Sequence, residues 1–279
     1  MKVFVMNQRK HMLAALAVAV LTLMAWTAIT PRAAVGIAVK SVADESQAKL
    51  RLKEMTDYVG AQKAIAFDYD SNLEVVTKDQ QKLALAASGT VSLTRPDKIR
   101  ATRSGGFVDI ETVFDGTTLT VLGRNKNVYM QAETPGSIDH VVAELHKKYD
   151  RPLPAADLLR TDAYDGLMAE VTDVKDLGSG VIGGTECDYF AFRTKDVDWQ
   201  IWIAQGARPY PCRYVIATKG VNDGPQYSIQ FRNWKTGDEA ATFDFSFKAP
   251  AGARRISLDE LKAIKNMGEL PSHFILGGQ

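Results

Sequence analysis

The sequence predicts a mainly β, α+β protein: a strongly curved antiparallel sheet, or incomplete β-barrel, with helices capping its concave face. Three observations carry this. From Ile65 onward, apolar residues recur with a period of two in one segment after another. The strands number about ten and are interrupted once, mid-chain, by a helical stretch too short to form a second domain. Trp199-Gln200-Ile201-Trp202-Ile203 places large apolar side chains on both faces of one strand, because neighbours point to opposite sides. Either both faces of the sheet are covered there, or one apolar face takes a greasy ligand.

The elements follow in order. Ala48, Leu52, Met55 and Val59 recur at helical spacing over Glu45–Tyr58, and Gly60 is a natural stop. Ile65, Phe67, Tyr69, Leu73 and Val75 then alternate with Asp68, Asp70, Asn72 and Glu74, giving a strand with a wet outer face. A second long strand carries Leu83, Leu85, Ala87, Val91 and Leu93 up to the Arg95-Pro96-Asp97 break. Shorter strands follow at 99–103, 107–114, 118–122 and 128–131, with Asp115-Gly116 as a hairpin turn. The interlude has an apolar stripe, Ile138, Val141, Val142, Leu145 and Tyr149, with Ser137 as its N-cap. Leu158, Leu159, Tyr164, Leu167 and Met168 suggest a further short helix or two. Strands resume near Val171 and continue over 187–193, 199–204, 212–218, 226–234 and 243–247. Phe243, Phe245 and Phe247 against Asp244 and Ser246 make the last of these strongly alternating. A surface helix is expected over 257–266.

The N-terminus reads as an export signal: Lys2, Arg9 and Lys10 precede an apolar run, and small residues fit cleavage after Ala38 or Ala43. Acidic Asp44-Glu45 favours Ala43; retention as an anchor is the alternative. Removing residues 1–43 takes the formal charge from +1 to about −4. Such a domain has no basic footprint for nucleic acid and, once cleaved, is not an integral membrane protein. The expected organisation is a signal over 1–43, one domain over 44–256 and a C-terminal helix and tail over 257–279. Cys187 and Cys212 are the only cysteines. Their strands should flank the Trp199 strand, ~9.6 Å apart against the ~7 Å reach of a disulfide. Both lie near Gln205-Gly206, where a bulge would bring them together, so the bridge stays an open alternative.

Catalytic chemistry finds no anchor. Gly178-Ser179-Gly180-Val181-Ile182-Gly183 matches a dinucleotide fingerprint, but a strand and not a helix follows, so it reads as a Gly-rich turn. His140 and His146 fall on different helix faces, His273 lies in the tail, and no nucleophile elbow is present. Asp157 reads first as a helix cap. No cofactor or metal is expected. What remains is aromatic: Tyr189, Phe190, Phe192, Trp199, Trp202, Phe231, Trp234, Phe243, Phe245 and Phe247 crowd the C-terminal half.

In order, Arg95-Pro96-Asp97, Phe114-Asp115-Gly116, Pro154-Ala155-Ala156-Asp157-Leu158-Leu159, Asp198-Trp199-Gln200-Ile201-Trp202-Ile203, Asn233-Trp234 and the Phe243 to Ala253 block resemble the bacterial periplasmic family called domain of unknown function 2092. The match spans about 48–256. That family resembles a branch of the LolA/LolB-like group, which implies an incomplete barrel whose helices cap an apolar cavity, in the Gram-negative periplasm. The residues and the resemblance together give a non-enzymatic binding protein. Its expected occupant is a lipid, acyl chain or lipidated partner, held by Trp199, Trp202, Phe231 and Trp234 with Val142 and Leu145 from the lid. The alternative is a regulatory or structural module that binds an envelope protein through an apolar surface. Trp199 and Trp202 must point to opposite sides unless a bulge intervenes.

Overall fold

The structure, a computed structural model, describes residues 42–106, 109–149, 155–220, 224–241, 243–257 and 260, with the backbone course alone for 42–43 and 145–149. The expected signal and most of the expected C-terminal helix lie outside the described residues. The Ser257 hydroxyl accepts from the Glu260 amide and the Glu260 carboxylate accepts from the Ser257 amide, a reciprocal capping box.

Among the described residues twelve strands form one curved, open sheet. They are β1 (Ala64–Val76), β2 (Lys82–Thr94), β3 (Lys98–Gly105), β4 (Asp109–Phe114), β5 (Thr118–Gly123), β6 (Val128–Glu133), β7 (Asp173–Ile182), β8 (Thr185–Arg193), β9 (Val197–Ala204), β10 (Pro211–Thr218), β11 (Gln226–Thr236) and β12 (Arg254–Arg255). The order is β12-β6-β5-β4-β3-β2-β1-β11-β10-β9-β8-β7. Every pair is antiparallel except β12 on β6. Two meanders therefore meet at β1–β11, and the helical interlude connects their outer ends.

Helix α1 (Val42–Ala61) lies against β7 and β9, with Ala48, Leu52, Met55 and Val59 fully buried. Its stripe meets Ile65 and Phe67 of β1, Phe190 and Phe192 of β8, and Trp199, Ile201 and Ile203 of β9 in one core cluster. Helix α2 (Ile138–Tyr149), a 3₁₀ turn (Ala156–Leu159) and α3 (Ala163–Met168) complete the same face. Ile138, Leu158, Leu159 and Leu167 are buried there.

One glycine in β2 marks a close crossing. The Tyr69 side chain passes over Gly89 to donate to the Thr102 carbonyl at 2.9 Å. A Cβ on Gly89 would fall 1.9 Å from that oxygen and 2.7 Å from the Tyr69 ring.

Two expectations change. The alternating segment around Phe243–Phe247 is not a strand: it runs unpaired over the outer face of β3–β6 as a strap. Arg100 donates to the Asp244 carbonyl at 2.7 Å, Phe247 packs on Tyr129 with ring centroids 5.2 Å apart, and Asn127 reaches the Ala251 carbonyl at 3.3 Å. Alternation reports an extended chain with one face covered. Strand status also needs a backbone ladder, and this segment lies on the sheet instead of at its edge. Asp157 is not a helix cap either. Ala155 holds that position with a left-handed backbone, and Asp157 is turned into the core. The Gly-rich motif is accounted for by strand structure: Gly178 sits at a bulge in β7 and Gly183-Gly184 turns into β8. Gly180 leaves room for the Trp202 indole, which lies 3.2 Å from where a Cβ would stand.

Candidate functional site

The concave face beneath α2 is where the sequence motifs converge. Ser137 caps the helix through its hydroxyl, 3.2 Å from the His140 amide. The Ile138 amide donates to the Pro96 carbonyl at 2.8 Å, and the Gly136 amide to the Gly116 carbonyl at 3.2 Å. A Cβ on Gly116 would strike the Asp97 carboxylate at 2.8 Å, so the turns of Asp97 and Gly116 are packed together. Arg95 donates to the Leu159 carbonyl at 2.6 Å and to Gln62 at 3.2 Å, close to the C-terminus of α1. A guanidinium there satisfies free carbonyls and opposes the helix dipole. Burial pushes its pKa down from the ordinary value, partly offset by Asp139. Asp139 in turn accepts from the Thr161 hydroxyl and amide. The root of α2 is thus fastened to the β2–β3 and β4–β5 turns of one meander and, through Asp139, to Thr161 of the interlude.

From this root, Ile138 enters the main core, Val141 packs on Phe114 and Leu119, and Val142 lies half-buried against the core. The core face of the sheet carries a strip of half-buried apolar residues: Val91 and Ile99 in one meander, Ile216 and Tyr227 in the other. Cross-strand pairing of Phe67 with Val91, Leu93 with Ile99, Trp199 with Ile216 and Leu73 with Tyr227 puts all four on the face that carries the core.

The structure separates the six residues expected to bind a ligand. Trp199 is 3% exposed, stacked on Phe192 at 3.9 Å and edge-on to Tyr214 at 5.9 Å. Phe231 and Trp234 share the concave face, although their spacing would place them on opposite sides. Asn233, with φ 53°, occupies a bulge opposite Ala66–Asp68, which resets the parity. Trp234 stacks on Phe67 at 4.9 Å, and its indole N–H has no acceptor among the described residues. Trp202 points to the outer face. It stacks on Tyr189 at 4.1 Å, with the Arg213 guanidinium 5.5 Å from its ring. Val142 lies half-buried against the core, and the side chain of Leu145 lies outside the described residues.

Asp157 is the inward-turned carboxyl that sequence reading took for a cap. Its Oδ2 accepts from the Tyr214 hydroxyl at 3.4 Å, while Oδ1 has no partner among the described residues. Burial pushes its carboxyl up, against the backbone amide of Leu158 and the Tyr214 hydroxyl, which favour the charged form. Tyr214 is pushed well up by burial and by Asp157, and Tyr227 to about 12 chiefly by burial. Nothing in Ala-Ala-Asp-Leu-Leu distinguishes a buried Asp from a cap; only the packing of the turn does.

Two shallow depressions lie elsewhere. One of about 260 Å³ is bounded by Arg51, Asp176, Ser179 and Asp188, and one of about 370 Å³ by Met130, Ala132, Arg255 and Ile256. Among the described residues no cluster of three or more His, Cys, Asp or Glu is arranged to hold a metal ion. No described helix is long and apolar enough to cross a membrane.

The family described as "Predicted periplasmic protein (DUF2092)" matches residues 48–259. The chain belongs to that family. It is a periplasmic protein, and the family's span covers α1, both meanders, the interlude and the strap. No curated protein matches the sequence. Among solved structures it is similar to the lipoprotein LppX of Mycobacterium tuberculosis, at 12% identity over 72% of this chain and 100% of that one, with a TM-score of 0.42. LprF of Mycobacterium bovis gives 11% identity, 74% and 98% coverage and a TM-score of 0.43. A LolA superfamily protein of Nitrosomonas europaea gives 11%, 68% and 94%, with 0.31. At these values no functional argument passes from them to this chain.

Proposed function

We propose that this family member is a periplasmic binding protein, acting by binding and not by catalysis, that takes up an acyl chain, a lipid or a lipidated partner along the concave strip beneath α2. The observation that supports this reading is the strip itself. Val91, Ile99, Ile216 and Tyr227, with Val142 of α2, are apolar residues only half-buried next to a fully packed core. Each methylene of a ligand covered there gains roughly 0.8 kcal/mol, so a chain of several carbons suffices for useful affinity. Trp199, Phe231 and Trp234 act in this reading as the wall behind the strip. The mature form begins after the export signal, as one domain over 44–256 with a tail over 257–279.

Protein recovered from the periplasm should release lipid on organic extraction, show it as added mass in native mass spectrometry, and take up a fluorescent fatty acid. Val142→Glu should lower that uptake at least tenfold while circular dichroism stays unchanged. Repeated recovery without lipid, together with no uptake, would falsify the reading.

A second reading rests on Trp202. It lies half-buried on the outer face, near an edge strand whose Leu177 is exposed. An apolar outer patch of this kind suits an envelope protein partner. Crosslinking in envelope extract that Trp202→Ala abolishes and Val142→Glu spares would favour it.

A further inference from the structure

The two cysteines, whose strands are separated by an intervening strand, are side by side. Cys187 on β8 pairs directly with Ala204, the last residue of β9, and β10 follows beyond it. A register shift between Pro211 and Arg213 lets Cys212 lean over Ala204, whose side chain is only a methyl group. Cys187, Ala204 and Cys212 form one cluster, 0%, 2% and 2% exposed, with Ile182, Trp202 and Tyr210 packed against it. The thiols are free in this structure. The Cys187 thiol donates to the Thr185 carbonyl at 3.4 Å, and Cys212 is packed in the same cluster. Strand spacing alone would have kept these sulfurs apart; the bulge removes that barrier.

We propose that in the periplasm Cys187 and Cys212 are joined by a disulfide that fastens β8 to β10 across the end of β9. The compartment is oxidising, and the partner each thiol needs is already beside it. The oxidant is an external disulfide, either of a thiol–disulfide oxidoreductase or of glutathione. The Cys187 thiolate attacks one of its sulfurs, and the other leaves as a thiol. Cys212 then loses its proton and attacks the Cys187 sulfur of the mixed disulfide, releasing the second thiol. The pair gives up two electrons and two protons, and the oxidant's disulfide becomes two thiols. Both sulfurs are sealed in the folded chain, so exchange takes place before Trp202 and Tyr210 close over them.

The test uses the full-length chain, exported and purified from the periplasm, then denatured and treated with a maleimide. Without reductant no adduct should form, and after reduction two should form. Peptide mapping should find Cys187 linked to Cys212 within one chain. Reduction should lower Tm by roughly 5–10 °C, and the double variant C187A/C212A should melt near the reduced protein, with no further response to reductant. Two adducts without reductant, or a disulfide found only between chains, would overturn the proposal. The test is independent of whether any lipid is bound.

Discussion

The two meanders of the sheet are built on different terms. The one from β11 to β7 lines its concave face with Phe190, Phe192, Trp199, Tyr214 and Phe231, and with α1 over it these residues are at most 7% exposed. The one from β2 to β6 sets Ala101, Thr112 and Val121 in the corresponding row, all half-buried. Large aromatic side chains close the first meander under a single helix. Small ones leave the second dependent on α2 inside and on the strap outside. The difference shows in where charge is buried. Behind the small residues, on the outer face, the 5%-exposed Glu111 is held by Arg100 at 2.6 Å and Arg124 at 2.7 Å. Against the aromatic meander, the half-buried Asp157 holds one carboxylate oxygen away from water with no partner among the described residues.

The largest expected effect is in the sealed meander. Ile201→Ala or Trp199→Ala should cost about 3–5 kcal/mol in urea unfolding, since a closed core cannot collapse around the gap. Val121→Ala in the other meander should cost no more than about 1 kcal/mol. Equal costs would remove the distinction between the two.

Gly89→Ala comes next, at about 3 kcal/mol, because the new methyl meets the Thr102 carbonyl and the Tyr69 ring together. Gly89→Ala combined with Tyr69→Leu should recover only the part due to the ring.

The two buried carboxyls should respond to pH with opposite signs. Burial opposes the charge on Glu111, but the bonds from Arg124 and Arg100 outweigh it and hold its pKa below the ordinary value. Its stabilisation is therefore present above the unfolded pKa and is lost as pH falls through the folded one. Glu111→Gln should cost about 1–2 kcal/mol at pH 7 and progressively less below about pH 4.3. Asp157 is raised by burial, so the native state holds its proton longer and stability falls as pH rises past about 3.9. Asp157→Asn should raise Tm at pH 7 relative to the parent and lose that advantage near pH 3. Melting curves of both variants across pH would show whether the opposition holds.

The smallest effect belongs to the strap. Phe247→Ala removes its ring contact with Tyr129, and should cost about 1 kcal/mol and speed proteolysis between 243 and 253.

Much of the fold was legible. The alternation of β1 and β2, the helical stripe of α1, the Asp115-Gly116 hairpin and the Ser137 cap stand where the spacing put them. These features are local, fixed by side-chain period and turn chemistry within a few residues. Phe243–Phe247 shows the limit: its pattern was right and its element wrong, because the partner that makes a strand lies elsewhere in the chain. The candidate site was less legible. Val142 could be placed from its stripe, but Trp202 and Trp234 could not be assigned together, since one bulge at Asn233 moves Trp234 to the other face.

The sequence by itself determined the periods, the turns, the helix faces and the family, because each depends on residue type at fixed short spacing. The tertiary structure alone decided three things: which aromatics share the concave face, that Asp157 is sealed against Tyr214, and that Cys212 leans across Ala204 to reach Cys187. All three depend on bulges and on packing between distant segments, and no local pattern records either.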